Sequence, residues 1–293
     1  MAKSRLSIAK PETLAWLSTQ TPIFTYQSLV SALSENRTTW GLAKNTGAQT
    51  FIEFLLANSQ MQRIDLPFPY RKELLYTWGS VSLLSILLTL KKGSYFSHHT
   101  AMRINGLTEL LPDTIYLNHE QQPQFKASEL EQNRIDSAFK RGPRISQNCI
   151  DINGFCVRMI NGMNTKQAGV DSITTQYFQS EEEVAVRVTS VERTLIDIAV
   201  RPAYSGGVAQ VLDAYAKAKE RVSPEAMLEM YKKLNYTYPY HQAIGFYMEK
   251  AGYDAGILDL FRQLPISFDF YLAHEMGKTR YVKDWRLHVP DEF

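Results

Sequence analysis

The chain has 293 residues, 44% of them hydrophobic and 21% charged, with a formal net charge of +2. That length suffices for one large domain or two ordinary ones, each able to bury a core without disulfide staples. The longest apolar run, "VSLLSILLTLKK", is about half of what a bilayer crossing needs and is broken by serines, which argues against a membrane span. No apolar run of signal-peptide length follows the basic start "MAKSRLSIAK", so a cytoplasmic protein is expected.

Charge is uneven along the chain. Residues 1–92 hold ten Lys/Arg against five Asp/Glu, whereas residues 93–293 hold 22 against 25. A moderately basic leading module suits a phosphate-facing surface.

In chain order, Pro11 in "PETLAWLST" suits a first helical turn, and Thr25 before "YQSLVSALS" suits the cap of a second helix. A third helix follows in "AQTFIEFLLANS", with Phe51, Ile52, Leu55 and Leu56 on one face. Next, "MQRIDL" and "ELLYTWG" read as strands joined by the exposed tip "PFPYRK". Three helices and a hairpin, in that order, predict a winged helix-turn-helix over 1–92. In it Gln49 and Thr50, with Glu53, lie away from the apolar face of helix three and can read base edges, while Arg37, Lys44 and Asn45 precede that helix. The wing adds Arg63, Arg71 and Lys72 as phosphate contacts. A solvated polar surface on a small helical domain is the competing reading of the same residues.

Residues 93–293 predict a larger mixed α+β domain. The run "SVSLLSILLTLKKG" reads as a buried helix closed by Gly93, followed by a helix over 97–105 and a strand over 114–118. His98 and His99 are adjacent, so on a helix they point apart and cannot jointly grip a metal; capping or packing is expected of them. Ser128 and Glu131 stand at capping-box spacing before "QNRIDSAFK". Cys149 and Cys156 flank "IDINGF", where Asn153-Gly154 signals a hairpin turn that pairs Ile152 with Phe155 and sets Cys149 opposite Arg158. The two thiols are then diagonal neighbours, too far apart for an unstrained bridge.

The stretch "VTSVERTLIDIAVRP" packs a glutamate, two arginines and an aspartate into an apolar segment. Thr189 and Glu192 stand at capping-box spacing, and Arg193 and Asp197 are four apart on one helix face. Each charge thus has a structural partner at hand, against the alternative that Glu192, Arg193 and Asp197 form a catalytic site. Further helices follow in "GGVAQVLDAYAKAKE", "SPEAMLEMYKKL" (with Ser223 as cap and Pro224 at the first helical position), "YPYHQAIGFYMEKAGY" and "DAGILDLFRQL". The tail returns to a sheet. The tyrosines at 236, 238, 240, 247 and 253 read as core filler or as a partner-binding surface.

Catalytic motifs are missing: no G-x-x-x-x-G-K-[ST] loop, no G-x-S-x-G elbow and no H-E-x-x-H occur. Neither Gly79-Ser80 nor Gly93-Ser94 is followed by the paired aspartates of a nucleotidyltransferase. No enzymatic activity, metal or cofactor is expected.

Several separated blocks carry a resemblance. "GSYFSHHTAMRINGLTELLPDTIYLNHEQ", "NRIDSAFKRGPRISQN", "MINGMNTKQAGV", "VTSVERTLIDIAVRPAYSGGVAQVL" and "YPYHQAIGFYMEKAGY" resemble, in order, the AbiEi family of abortive-infection antitoxins and transcriptional regulators. The resemblance implies an N-terminal winged helix that binds inverted repeats in double-stranded promoter DNA and represses its own operon. It also implies a C-terminal domain that counteracts an AbiEii-like nucleotidyltransferase toxin. Helix three is poorer in arginine than a strongly basic reader. A rival reading makes the winged helix a platform for protein and has the C-terminal helices grip the toxin directly.

Overall fold

The computed structural model describes residues 4–111, 113–122, 129–152, 154–176 and 183–293. The chain divides into two compact units, Met1–Leu90 and Lys91–Phe293. Both mix helices and strands, making this an α+β protein. Ser128 and Asn153, expected in a helix cap and a hairpin turn, lie outside the described residues.

The first unit runs α1 (Arg5–Ser18), β1 (Ile23–Thr25), α2 (Tyr26–Asn36), α3 (Ala48–Asn58), β2 (Met61–Pro67), β3 (Lys72–Trp78) and α4 (Leu83–Thr89). Contrary to expectation, α1 starts well before Pro11: Ser4 is the cap, its hydroxyl accepting from Ser7 N at 3.1 Å. Pro11 sits inside the helix on its exposed side, where the lost N–H costs one helical bond. Thr25 caps α2 in a reciprocal box with Ser28, at 3.1 and 2.9 Å. Helix α3 buries Phe51, Ile52 and Leu55, and Trp40 stacks on Phe51 with ring centroids 5.7 Å apart. Trp16 meets the edge of Trp40 at 5.8 Å, which locks α1 to the α2–α3 connection.

Strands β2 and β3 form an antiparallel hairpin in register from Met61↔Trp78 to Pro67↔Lys72, and β1 adds to the free edge of β3. The hairpin tip is only partly exposed: Phe68 tucks in at 3% exposure while Tyr70 stands out at 76%. The apolar run expected to be helical as far as Gly93 stops at Thr89. Gly93, at φ +80°, belongs instead to a turn closed by Ser94 N on Lys91 O.

The second unit is built on a six-stranded sheet: β4 (Tyr95–Phe96), β5 (Thr114–Glu120), β6 (Cys149–Ile152), β7 (Phe155–Gly162), β8 (Val170–Thr175) and β9 (Val184–Thr189), in the order β6-β7-β5-β4-β9-β8. The β6–β7 hairpin has the expected register, with Asp151↔Cys156 and Cys149↔Arg158, and both thiols are free. Helices α5 (His98–Ile104) and α6 (Gln132–Phe139) interrupt the strands; α6 takes Glu131 as its cap position. Then come α7 (Val191–Val200), α8 (Val208–Ala218), α9 (Pro224–Leu234), α10 (His241–Lys250) and α11 (Ala255–Arg262). The tail forms a small sheet of its own from β10 (Phe270–Tyr271), β11 (Thr279–Val282) and β12 (Leu287–Pro290), ordered β10-β12-β11.

Residues of α5 to α11 and of the small sheet share one apolar core. Helix α10 lies at its centre, with eight consecutive buried residues from His241 to Met248. Tyr247 and Tyr253 are buried there, whereas Tyr236, Tyr238 and Tyr240 are half-buried. Gly245 lets the Trp285 ring lie directly on the α10 backbone: a Cβ added at 245 would stand 2.1 Å from a ring carbon. The indole is fixed from other sides, since its Nε1–H donates to Glu249 and Arg262 covers the ring at 5.1 Å. Gly245→Ala therefore overpacks a site that cannot yield, and a loss of about 1–3 kcal/mol or more is expected in urea unfolding followed by tryptophan fluorescence. A change within about 0.5 kcal/mol, the range of ordinary surface substitutions, would show that the contact is not tight.

Candidate functional site

The residues expected to meet DNA lie on the exposed surface of the first unit, with one clear exception. Arg37, half-buried at the end of α2, donates through Nη1 to the carbonyls of Ala43 (2.8 Å), Lys44 (3.2 Å) and Thr46 (3.0 Å). The connection before α3 turns away from regular structure, so its carbonyls need donors, and Arg37 supplies them. Arg37 thus acts as a clamp shaping the approach to α3.

Lys44 and Asn45 are exposed in the clamped segment, and Gln49 and Thr50 are exposed in the first turn of α3. Gln49 donates its amide to Glu53 at 2.7 Å, one turn on. That leaves the amide oxygen as its available acceptor and puts a carboxylate on the same exposed face. In the hairpin, Arg63 pairs with Asp65 at 2.9 Å and Arg71 with Glu73 at 2.9 Å. Lys72 is exposed, and among the described residues neither it nor Lys44 is in an ion pair. Lys44 and Lys72, with Arg5 on α1, are thus exposed cations outside any ion pair among the described residues, and Arg63 and Arg71 are in exposed, solvent-screened pairs that can open to a phosphate.

The charged stretch in the second unit has another character. Arg193 Nε donates to Asp197 Oδ1 at 2.8 Å, with both side chains under a tenth exposed. Its Nη1 donates to Ala168 O at 2.7 Å and to Thr165 Oγ1 at 3.3 Å, and Tyr236 donates to Asp197 at 3.4 Å. Burial works against the arginine's charge, but Asp197 together with Tyr236 and Tyr95 more than offsets it, so the guanidinium is held above its ordinary range. The partner loop is fixed from its other side by Glu120, whose carboxylate accepts from the backbone N–H groups of Thr165 and Gln167 and from the Thr165 hydroxyl. Lys166, Gln167 and Gly169 all have positive φ in this loop. At Gly169, where α7 presses in, an added Cβ would stand 2.8 Å from Arg193 Cβ.

The capping box expected from Thr189 and Glu192 is displaced by one residue. Ser190 is the cap of α7, accepting from Arg193 N at 3.2 Å. Thr189, still in β9, shares a 2.7 Å hydroxyl bond with Thr194, while Asn105 at the end of α5 donates to both residues. Glu192 instead accepts from Ser223 N at 3.2 Å, at the start of α9. The box fails because Thr189 is claimed by the sheet and by Thr194. Sequence reasoning missed Glu120, Asn105 and the loop at 164–169, since nothing local marks a carboxylate whose partners are 45 residues away.

His98 and His99 are buried in α5. His98 is bonded to Ser97 Oγ at 2.8 Å and lies edge-on to Tyr204, with centroids 5.2 Å apart. Among the described residues, no cluster of His, Cys, Asp and Glu could hold a metal ion, and no helix is long and apolar enough to cross a membrane.

No protein-family model matches the chain, and no curated protein matches it. Among solved structures, the chain is similar to the "Crystal structure of RV2827C protein from Mycobacterium tuberculosis", at a TM-score of 0.57 and 14% identity, over 96% of this chain and 91% of that one. At that identity the likeness concerns the fold alone.

Burial pushes both His98 and His241 down to about 4. For His98, Asp197 opposes the shift while Arg201 and Arg193 add to it. Unfolded histidine takes up its proton near 6.5, so between these values the unfolded chain binds more protons than the folded one. The stability each neutral ring contributes is complete above about pH 6.5 and lost as pH falls toward 4, at most roughly 3 kcal/mol per histidine. Urea unfolding at pH 7 and pH 4.5 should show this fall, and His98→Gln with His241→Gln should flatten it. An equally steep fall in that variant would assign the acid sensitivity elsewhere.

Proposed function

We propose that the protein is a DNA-binding antitoxin of the AbiEi kind, without enzymatic activity, whose first unit is a winged helix that represses its own promoter. The observation that carries the reading is the element order α1-β1-α2-α3-β2-β3, with β1 paired to β3 and with Arg71 and Lys72 exposed at the tip of the β2–β3 hairpin. A helix-turn-helix of this order offers α3 to the major groove and the hairpin to the phosphate backbone. Thr50, Gln49 through its amide oxygen, and Asn45 are the base-reading candidates. Lys44 and Lys72 are the direct phosphate contacts, with Arg63 and Arg71 recruited when a phosphate displaces their carboxylates. Glu53 opposes the anion and lowers the affinity of a single unit, so inverted repeats bound by two copies suit this surface better than one isolated site.

The second unit, in this reading, counteracts an AbiEii-like nucleotidyltransferase toxin. The direct-grip rival relies on the C-terminal tyrosines, and burial takes Tyr247 and Tyr253 out of any such surface.

Titrating the protein against its own upstream duplex at several salt concentrations is the test. Three or four phosphate contacts per copy give a slope of log K against log salt of about −3 to −4. Arg71→Ala and Lys72→Ala should weaken binding to every sequence, whereas Gln49→Ala and Thr50→Ala should change sequence preference. Glu53→Gln should tighten binding. Equal affinity for scrambled duplex would remove specific repression, and parental behaviour in all these variants would remove the surface from the interface.

A further inference from the structure

The second unit holds a cleft of about 1120 Å³, and four arginines line it: Arg134 from α6, Arg141 and Arg144 from the following loop, and Arg201 from the end of α7. All four are exposed. Among the described residues none of them is in an ion pair, and the lining contains no aspartate or glutamate. A carboxylate does stand beside the lining: Glu275 Oε2 is 2.9 Å from where a Cβ on Gly142 would be. Four guanidinium groups around one concavity therefore outnumber the carboxylates beside them, Glu275 and the Asp197 that lines a second pocket with Arg201, in a unit whose sequence is close to neutral overall. A concave wall of one sign concentrates the potential inside it.

The loop that presents these arginines is fixed in place. Tyr204 accepts from Ser146 N at 2.8 Å and donates to Arg144 O at 3.2 Å, and Arg201 donates to the same carbonyl at 3.3 Å. Arg158 ties Ser146 O to the sheet. His274 bonds through Nδ1 to the carbonyls of Ala138 and Arg141, each at 3.2 Å, and stacks on Phe139 at 4.3 Å. Burial and the nearby Arg201 charge both hold that imidazole below its usual range, so the positive field in the cleft belongs to the arginines. Tyr238 and Tyr240, both half-buried, form an aromatic wall.

We propose that this cleft binds a nucleotide, its phosphates among Arg141, Arg144 and their two neighbours and its base against the Tyr238–Tyr240 wall. Guanidinium forks match phosphate oxygens two at a time, and an aromatic face takes any base by stacking. The volume is several times what an inorganic anion fills and is of the size that ligand pockets have. A free nucleoside triphosphate and a nucleotide within a single strand share this chemistry. The site lies in the second unit, so it stands or falls independently of duplex binding by the first.

The test uses the full-length protein in calorimetric titrations with adenosine triphosphate, inorganic triphosphate, a single-stranded hexanucleotide and a poly-glutamate peptide. Saturable binding of either nucleotide ligand is expected, at least ten-fold tighter than inorganic triphosphate; the tighter of the two identifies the carrier. Arg141→Ala with Arg144→Ala should weaken it at least ten-fold at an unchanged melting temperature, while Lys72→Ala leaves it intact. Should the double variant lose its fold, Arg141→Gln alone, which removes one exposed side chain, should still weaken binding several-fold. The proposal is overturned if neither nucleotide saturates at millimolar concentration. It is also overturned if the arginine variants bind as the parent does, or if inorganic triphosphate or the acidic peptide binds as well as the nucleotides.

Discussion

A guanidinium taken out of water must be neutralised and hydrogen-bonded, and the second unit is organised around one that is. Arg193 meets Asp197 along its own helix, Ala168 and Thr165 across a loop, and through Asp197 the hydroxyl of Tyr236. Removing one member of such a set strands a charge, whereas the complete set holds α7, the 164–169 loop and the chain after α9 to one geometry. Glu120 completes the arrangement from the sheet, its carboxylate accepting from the N–H groups of Thr165 and Gln167, while the N–H of Lys166 between them donates to Asn164. The acidic and basic groups of "VTSVERTLIDIAVRP" are therefore consumed by the fold, with Arg201 as the exception.

The same accounting, applied to the whole chain, separates cations that hold structure from cations that face outward. Arg37 closes the turn before α3, Arg158 and Arg187 hold loop carbonyls, and Arg286 bonds Asp269 at 2.8 Å. Among those facing outward are Lys44 and Lys72 on the first unit and Arg134, Arg141 and Arg144 on the second, with Arg201 divided between the Arg144 carbonyl and the Tyr204 ring. Net charge of each part would not have found the second group. It sits in the part of the sequence without a basic surplus, where position in a concavity matters more than the total.

Much of the architecture was legible because it rests on local chemistry. The Thr25 and Ser223 caps, the α3 apolar face and the β6–β7 register follow from residue spacing, and each is present. Misreadings arose where a distant partner outbid a local one. Pro11 resembled a helix start, but Ser4 supplies the cap and the proline rides on an exposed turn. Thr189 and Glu192 had capping-box spacing, yet β9 and Ser223 claimed them. The surface charges of the first unit were read as positions and not as pairs, although Arg63 and Asp65, like Arg71 and Glu73, are two residues apart, a spacing that extended backbone places on one face. The arginine cleft had a signal in "NRIDSAFKRGPRIS", three arginines and a lysine in a short span, though nothing local says that Arg201 joins them.

The Arg193–Asp197 pair holds the frame of the second unit, and a double-mutant cycle measures that directly. Arg193→Met and Asp197→Leu, separately and together, are compared by urea unfolding. Each single change should cost about 3–5 kcal/mol by stranding the other charge, and the pair should recover most of that. Single variants as stable as the parent, or a double variant no more stable than either, would contradict it.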